Sequence, residues 1–112
     1  MSTTTTISTH VLDTSLGAPA EGIVVRLARA NDSMELGQGT TNVDGRVTSF
    51  GDVALTAGSY RLCFDVAPYF AASRRESFYA EICIAFEVGP KPQHYHVPLL
   101  LSAFGYSTYR GS

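Results

Sequence analysis

Short runs rich in Val, Ile, Thr, Tyr and Phe recur along the chain, cut at fairly even intervals by clusters of Gly, Asn, Asp and Pro. Residues two apart on a strand share a face, so a run that alternates apolar with polar side chains buries one face and wets the other. Gly58 to Val66 does this most clearly, with Tyr60, Leu62, Phe64 and Val66 set against Ser59, Arg61, Cys63 and Asp65. Many short strands at regular spacing, separated by turn residues, predict an all-β sandwich or barrel.

The pattern predicts about eight strands and one short helix, arranged as a two-sheet sandwich. Strands are expected at Thr6 to Leu12, Ile23 to Ala30, Glu35 to Thr41, Arg46 to Ser49, Gly58 to Val66, Ala80 to Val88, Gln93 to Leu101 and Gly105 to Arg110. Asp13 to Pro19 reads as a turn, and Asn42-Val43-Asp44-Gly45 as a tight hairpin, since Asp-Gly supplies the positive φ such a turn needs. Pro68 suits a helix start, and the residues from there to Ser77 are predicted helical. Pro98 cannot donate to a ladder, so a bulge or an edge position is expected near it.

With 112 residues the chain is expected to be a single domain, 1–112, with residues 1–5 a flexible N-terminus. Its 45% hydrophobic and 16% charged residues and formal charge of -2 describe an ordinary soluble protein. Seven arginines and one lysine are scattered, so the basic footprint of a nucleic-acid binder is missing. No apolar stretch approaches the roughly 18 residues of a membrane span, and the start lacks the basic and apolar regions of a secretory signal. A cytoplasmic location is expected, with Cys63 and Cys83 as free thiols.

Chemistry-bearing residues are few. The chain carries His10, His94 and His96, and aromatic, imidazole and guanidinium groups continue up to the end, Tyr109-Arg110-Gly111-Ser112. A frayed tail is usually polar and simple; this one is not. His94 and His96 lie two apart on a strand and share a face, so they are placed for a metal or for acid–base work. A zinc site needs a third and fourth ligand, which the cysteines do not supply; a neutral imidazole can take a proton from water near pH 7. Arg46, just after Asp44-Gly45, is either a solvated turn residue or a rigid fork for a planar polar ligand.

Ile7-Ser8-Thr9-His10-Val11-Leu12-Asp13-Thr14 with Gly17 and Pro19-Ala20, then Thr40-Thr41-Asn42 through Asp44-Gly45-Arg46, then His94 through Ser102, and finally Tyr106 through Ser112 resemble the 5-hydroxyisourate hydrolases. These are the enzymatic, transthyretin-related proteins of purine degradation. The likeness covers essentially the whole chain, and the terminal Tyr-Arg-Gly-Ser is its most specific part. Ala80 and Ala103 stand where relatives usually carry proline.

The resemblance implies a transthyretin-like sandwich assembled as a homotetramer, with active sites where two dimers meet. It implies hydrolytic opening of 5-hydroxyisourate to 2-oxo-4-hydroxy-4-carboxy-5-ureidoimidazoline in urate degradation, with no cofactor and no metal. Residue by residue it implies His10, Arg46, His96 and Ser112 as catalytic, and Tyr109, Arg110, Gly111 and His94 as substrate-binding. Either His10 or His96 is the general base. The alternative, from another class, is a transthyretin-type small-ligand binding protein; a zinc-binding module built on His94 and His96 comes third.

Overall fold

The computed structural model describes residues 4–112. Nine strands and one helix follow in order: β1 (Thr6–Asp13), β2 (Ala18–Pro19), β3 (Val24–Arg29), β4 (Glu35–Thr40), β5 (Arg46–Val47), β6 (Gly58–Phe64), α1 (Val66–Ala72), β7 (Ile82–Val88), β8 (His94–Leu101) and β9 (Tyr106–Thr108). They form the expected two-sheet sandwich. One sheet runs β2-β1-β8-β9, with β5 also paired to β1; the other runs β4-β3-β6-β7. The flexible start expected for residues 1–5 falls partly outside the described residues, and Thr5 within it is buried.

Alternation builds the core. Ile7 and Val11 from β1 meet Tyr95, Val97, Leu99 and Leu101 from β8, and the opposing sheet contributes Val25, Leu27, Tyr60, Leu62, Phe64 and Ile82. Each such side chain is worth roughly 1.5–3 kcal/mol when fully buried. The hydroxyl of Tyr60, at the end of a buried ring, is satisfied by Thr56, donating to its carbonyl at 2.7 Å and accepting its N–H at 3.1 Å.

Several elements depart from the sequence reading. Ala18–Pro19, read as part of a turn, pairs with Leu12 and Asp13; a proline is tolerated there because β2 is an edge. The Asn42 to Gly45 turn closes as expected, with Gly45 at φ 73° and its N–H on the Asn42 carbonyl at 2.8 Å. It is not a hairpin, however. β4 pairs with β3 and β5 with β1, so the turn is a corner that carries the chain from one sheet to the other. Gly45 serves that corner twice, because a Cβ there would also lie 2.5 Å from the Val11 carbonyl oxygen.

The helix begins earlier and ends earlier than expected. Val66 and Phe70, four apart and both fully buried, dock it on the core, and Pro68 sits in the first turn, where its missing N–H costs nothing. Arg74 then turns left-handed at φ 58°. The N–H groups of Arg74 and Arg75 fold back onto the carbonyls of Ala71 and Phe70, a Schellman ending with arginine where glycine is usual. That ending throws Arg75 back onto Asp13, whose wholly buried carboxylate receives Arg75 Nη2 at 2.7 Å and the Tyr69 hydroxyl at 2.6 Å.

The cysteines correct another expectation. Cys63 and Cys83 are directly opposed on the antiparallel strands β6 and β7, with Cα atoms 4.1 Å apart, and are joined as a disulfide. Directly facing, non-hydrogen-bonded positions bring Cβ atoms closest in an antiparallel pair, a register that a separation of 20 residues in sequence does not reveal.

Candidate active site

β1 and β8 are parallel neighbours in continuous register from Thr6↔His94 to Asp13↔Leu101. Paired residues project to the same side, so the inward set (Ile7, Val11, Tyr95, Val97) is matched by an outward set in which Ser8 stands beside His96 and Thr6 beside His94. Two residues further along β1, His10 emerges on the same outward face. On the other flank of β1, the corner after Gly45 delivers Arg46 directly opposite His10. The corner is held by Asn42, whose side-chain oxygen accepts the N–H groups of Asp44 at 2.9 Å and Arg46 at 3.0 Å. One face of one sheet thus gathers all three histidines and Arg46.

Ser8 links two of the imidazoles. Its Oγ lies 2.8 Å from Nε2 of His94 and 2.8 Å from Nδ1 of His96. Thr6 Oγ1 meets the other nitrogen of His94, Nδ1, at 2.7 Å. His96 is half-buried, and burial, reinforced by the positive charge of Arg46 and by His10 and His94, holds its pKa below the ordinary histidine value. A depressed pKa keeps the ring neutral, with a lone pair available, at neutral pH. A neutral imidazole beside a fixed guanidinium suits taking a proton from water while stabilising the anion that forms.

The tail completes the face through β8. Leu99↔Thr108 and the isolated bridge His96↔Gly111 share one antiparallel register, which sets Pro98 opposite Tyr109. Pro98 has no N–H to give there, and the ladder is interrupted at that point; its carbonyl instead accepts the Thr108 hydroxyl at 2.6 Å. The irregularity expected near Pro98 is therefore a gap on the β9 side, while β8 itself is an interior strand. Beyond the gap the Gly111 N–H reaches the His96 carbonyl at 2.8 Å. Gly111 lies so close to the imidazole that a Cβ would come within 2.5 Å of Cδ2. Ser112 follows directly, exposed.

The structure brings His10, His94, His96, Arg46 and Gly111 together, with Ser112 adjacent and Tyr109 on the outward side of the register. Arg110 goes elsewhere. Its guanidinium stacks 4.7 Å from the centroid of the Tyr95 ring and donates to Gln93 Oε1 at 2.8 Å, on the opposite side of β8 from the histidines. There it borders a cleft of about 240 Å³ with Ile84, Phe86 and Tyr95. Ser8 and Thr6 were not singled out from sequence, although Ser8-Thr9-His10 carried the signal, since residues two before a strand histidine share its face. Among the described residues no cluster of three or more His, Cys, Asp or Glu side chains is arranged to hold a metal ion.

The chain matches the profile of the HIUase/Transthyretin family over residues 7–111. It is 41% identical over 109 residues to the 5-hydroxyisourate hydrolase of Salmonella dublin, covering 95% of this chain and 80% of that one. Among solved structures, the 5-hydroxyisourate hydrolase of Klebsiella pneumoniae superposes with a TM-score of 0.85 at 41% identity, covering 96% of this chain and 94% of that one. Transthyretin from Sparus aurata superposes equally well, TM-score 0.85, at 25% identity and with 94% and 95% covered. The sandwich is transthyretin-like, as its topology required.

Proposed function

The chain belongs to the HIUase/Transthyretin family, and from that premise we infer that it is a 5-hydroxyisourate hydrolase whose active site is the outward face of β1 and β8. The reading rests above all on one observation: His96 is held at both ends of its residue, by Ser8 on the ring and by Gly111 of the tail on the backbone. In this reaction His96 takes a proton from water, and the hydroxide oxygen bonds to the ring carbonyl carbon. The C–N bond then breaks, the proton returns to the leaving nitrogen, and 2-oxo-4-hydroxy-4-carboxy-5-ureidoimidazoline results. Arg46 binds the substrate and stabilises the developing oxyanion. His10 orients the substrate from the adjoining strand, and Ser112, by its hydroxyl or terminal carboxylate, positions the water.

The active assembly in this reading is a homotetramer with paired sites between dimers. Leu12 and Leu100, half-buried and side by side on the same outward face, give it an apolar seam beside the histidines. No helix of the described residues is long and apolar enough to cross a membrane. We place the enzyme in the cytoplasm, where the thiol pool works against the Cys63–Cys83 bond.

The test generates 5-hydroxyisourate in situ with urate oxidase and follows its decay by ultraviolet absorbance. The wild-type chain is expected to accelerate the decay, and His96→Ala and Arg46→Ala to abolish most of that acceleration. Near-normal turnover by either variant overturns the assignment. Tight binding of a thyroxine-like dye without any hydrolysis would instead establish the transthyretin-type binding protein.

A further inference from the structure

Ser8 is half-buried on the outward face and carries a single hydrogen, yet its Oγ sits at hydrogen-bond distance from two imidazole nitrogens. A hydroxyl donates once and accepts twice, and a neutral imidazole has one donor and one acceptor nitrogen. Ser8 therefore donates to one histidine at most, and the other must donate to Ser8. If Ser8 donated to Nδ1 of His96, the His96 proton would be on Nε2 and the ring would have no lone pair to offer a water. The opposite direction leaves Nε2 free and also satisfies the remainder of the chain. His94 then accepts at Nε2 and carries its proton on Nδ1, where Thr6 Oγ1 at 2.7 Å receives it.

We propose that Ser8 is a positioning residue that fixes the tautomer of His96: Ser8 Oγ accepts the Nδ1–H of His96, donates its own hydrogen to Nε2 of His94, and so turns the lone pair on His96 Nε2 toward the substrate. His94 and Thr6 act through Ser8 by setting the direction of its hydroxyl. This rests on the reading of the face as a hydrolase site with His96 as base. It assigns His94 a role that needs no contact with the substrate. When Nε2 takes a proton, the Nδ1–H bond to Ser8 is kept, so the ring does not rotate during the reaction. The charged and titratable groups facing His96 are His10 from β1, Arg46 from β5 and His94 from its own strand; none of them bonds its Nδ1, which leaves that task to Ser8.

Two-bond 1H–15N correlation spectra of the chain labelled in its histidines read the tautomers directly, at a pH where His96 is neutral. The wild-type chain is expected to carry the proton on Nδ1 in both His94 and His96, and Ser8→Ala to lose that preference at His96. In the hydrolysis assay Ser8→Ala is expected to lower kcat about a hundredfold, the scale of a positioned general base, with KM changed by less than about threefold. Ser8→Thr keeps the hydroxyl and restores both readouts. A wild-type spectrum with Nε2–H at His96, an unchanged kcat in Ser8→Ala, or a Ser8→Thr chain that is folded but as impaired as Ser8→Ala overturns the proposal. In a chain that shows no hydrolysis at all the reading of the site fails, and the spectra still decide the hydrogen-bond chain: Nδ1–H on His96 supports it and Nε2–H overturns it.

Discussion

Gly111 lies against the imidazole of His96 so closely that a Cβ at 111 would sit 2.5 Å from Cδ2 and 3.2 Å from Cγ. The ring is tied to Ser8 on one side and the Gly111 backbone to the His96 carbonyl on the other, so neither yields without breaking a hydrogen bond. Gly111→Ala is expected to displace the ring and cut kcat about a hundredfold, the cost of roughly 1 Å of misplacement in a site. Circular dichroism should be unchanged, because the bridge lies beyond the last regular strand.

The tail beyond the Pro98 gap is held by the Gly111 bridge and by the contacts of Arg110 with Gln93 and Tyr95. Removing Arg110-Gly111-Ser112, or extending the chain with a C-terminal tag, is expected to abolish most hydrolysis while the β-rich circular dichroism survives. A fully active tagged protein would show that the free end has no part in the site.

Burial first, and then the charges of Arg46, His10 and His94, lower the pKa of His96. The base must be unprotonated to act, so the acid limb of the kcat/KM profile is expected below the ordinary histidine pKa of about 6.5. Removing the Arg46 charge relieves the repulsion of the imidazolium. In Arg46→Ala the residual activity should therefore show its acid limb moved to higher pH, together with a fall of about 10²–10³ from the lost oxyanion donor. A limb that stays in place would separate Arg46 from the titration of His96.

Asp13 is expected to govern stability in acid. Burial alone would raise its carboxyl pKa, but the hydrogen bonds from Arg75, Tyr69 and the Leu16 N–H outweigh burial and the net shift is downward. A carboxyl depressed in the folded state contributes in full above its unfolded value near 3.9, and that contribution is lost as pH falls through the folded value. Asp13→Ala is expected to cost about 3 kcal/mol in urea denaturation at pH 7, since it strands Arg75. The difference from wild type should shrink at low pH.

The Cys63–Cys83 bond is on the sheet opposite to the histidines, and its loss is expected to touch stability alone. Replacing both residues by serine should lower the unfolding free energy by about 3 kcal/mol, the scale for a loop of this length, and leave kcat and KM within about twofold. Equilibrium unfolding with and without reductant, beside the hydrolysis assay, checks both halves.

Much of this was legible in the sequence because a strand has a period of two. The alternations in Gly58 to Val66 and Ile23 to Ala30 declared their buried faces, and His94-Tyr95-His96 declared that both imidazoles look the same way. Pairing is different, since register between distant segments is fixed by packing and leaves no local mark. Nothing near Asn42 indicates that its turn joins two sheets, and nothing near Cys63 indicates that Cys83 faces it. Ser8 escaped for the same reason: its role exists only once β8 lies beside β1. Arg110 shows the limit of motif reading, because parity along the tail sends it to the side away from His96 while its neighbour Gly111 stays on the site's side.

The parallel pairing of β1 with β8 joins positions 6–13 to positions 94–101, the two ends of the chain. Closing so long a loop carries an entropic cost before any contact is gained, and such non-local pairings fold slowly. Synthesis delivers β1 at the beginning and β8 with its tail at the end. The catalytic face consequently has no nascent form: while the ribosome is still adding residues, Ser8 and His10 wait without partners. Translation must finish before the enzyme can act at all, and a prematurely terminated product is inert.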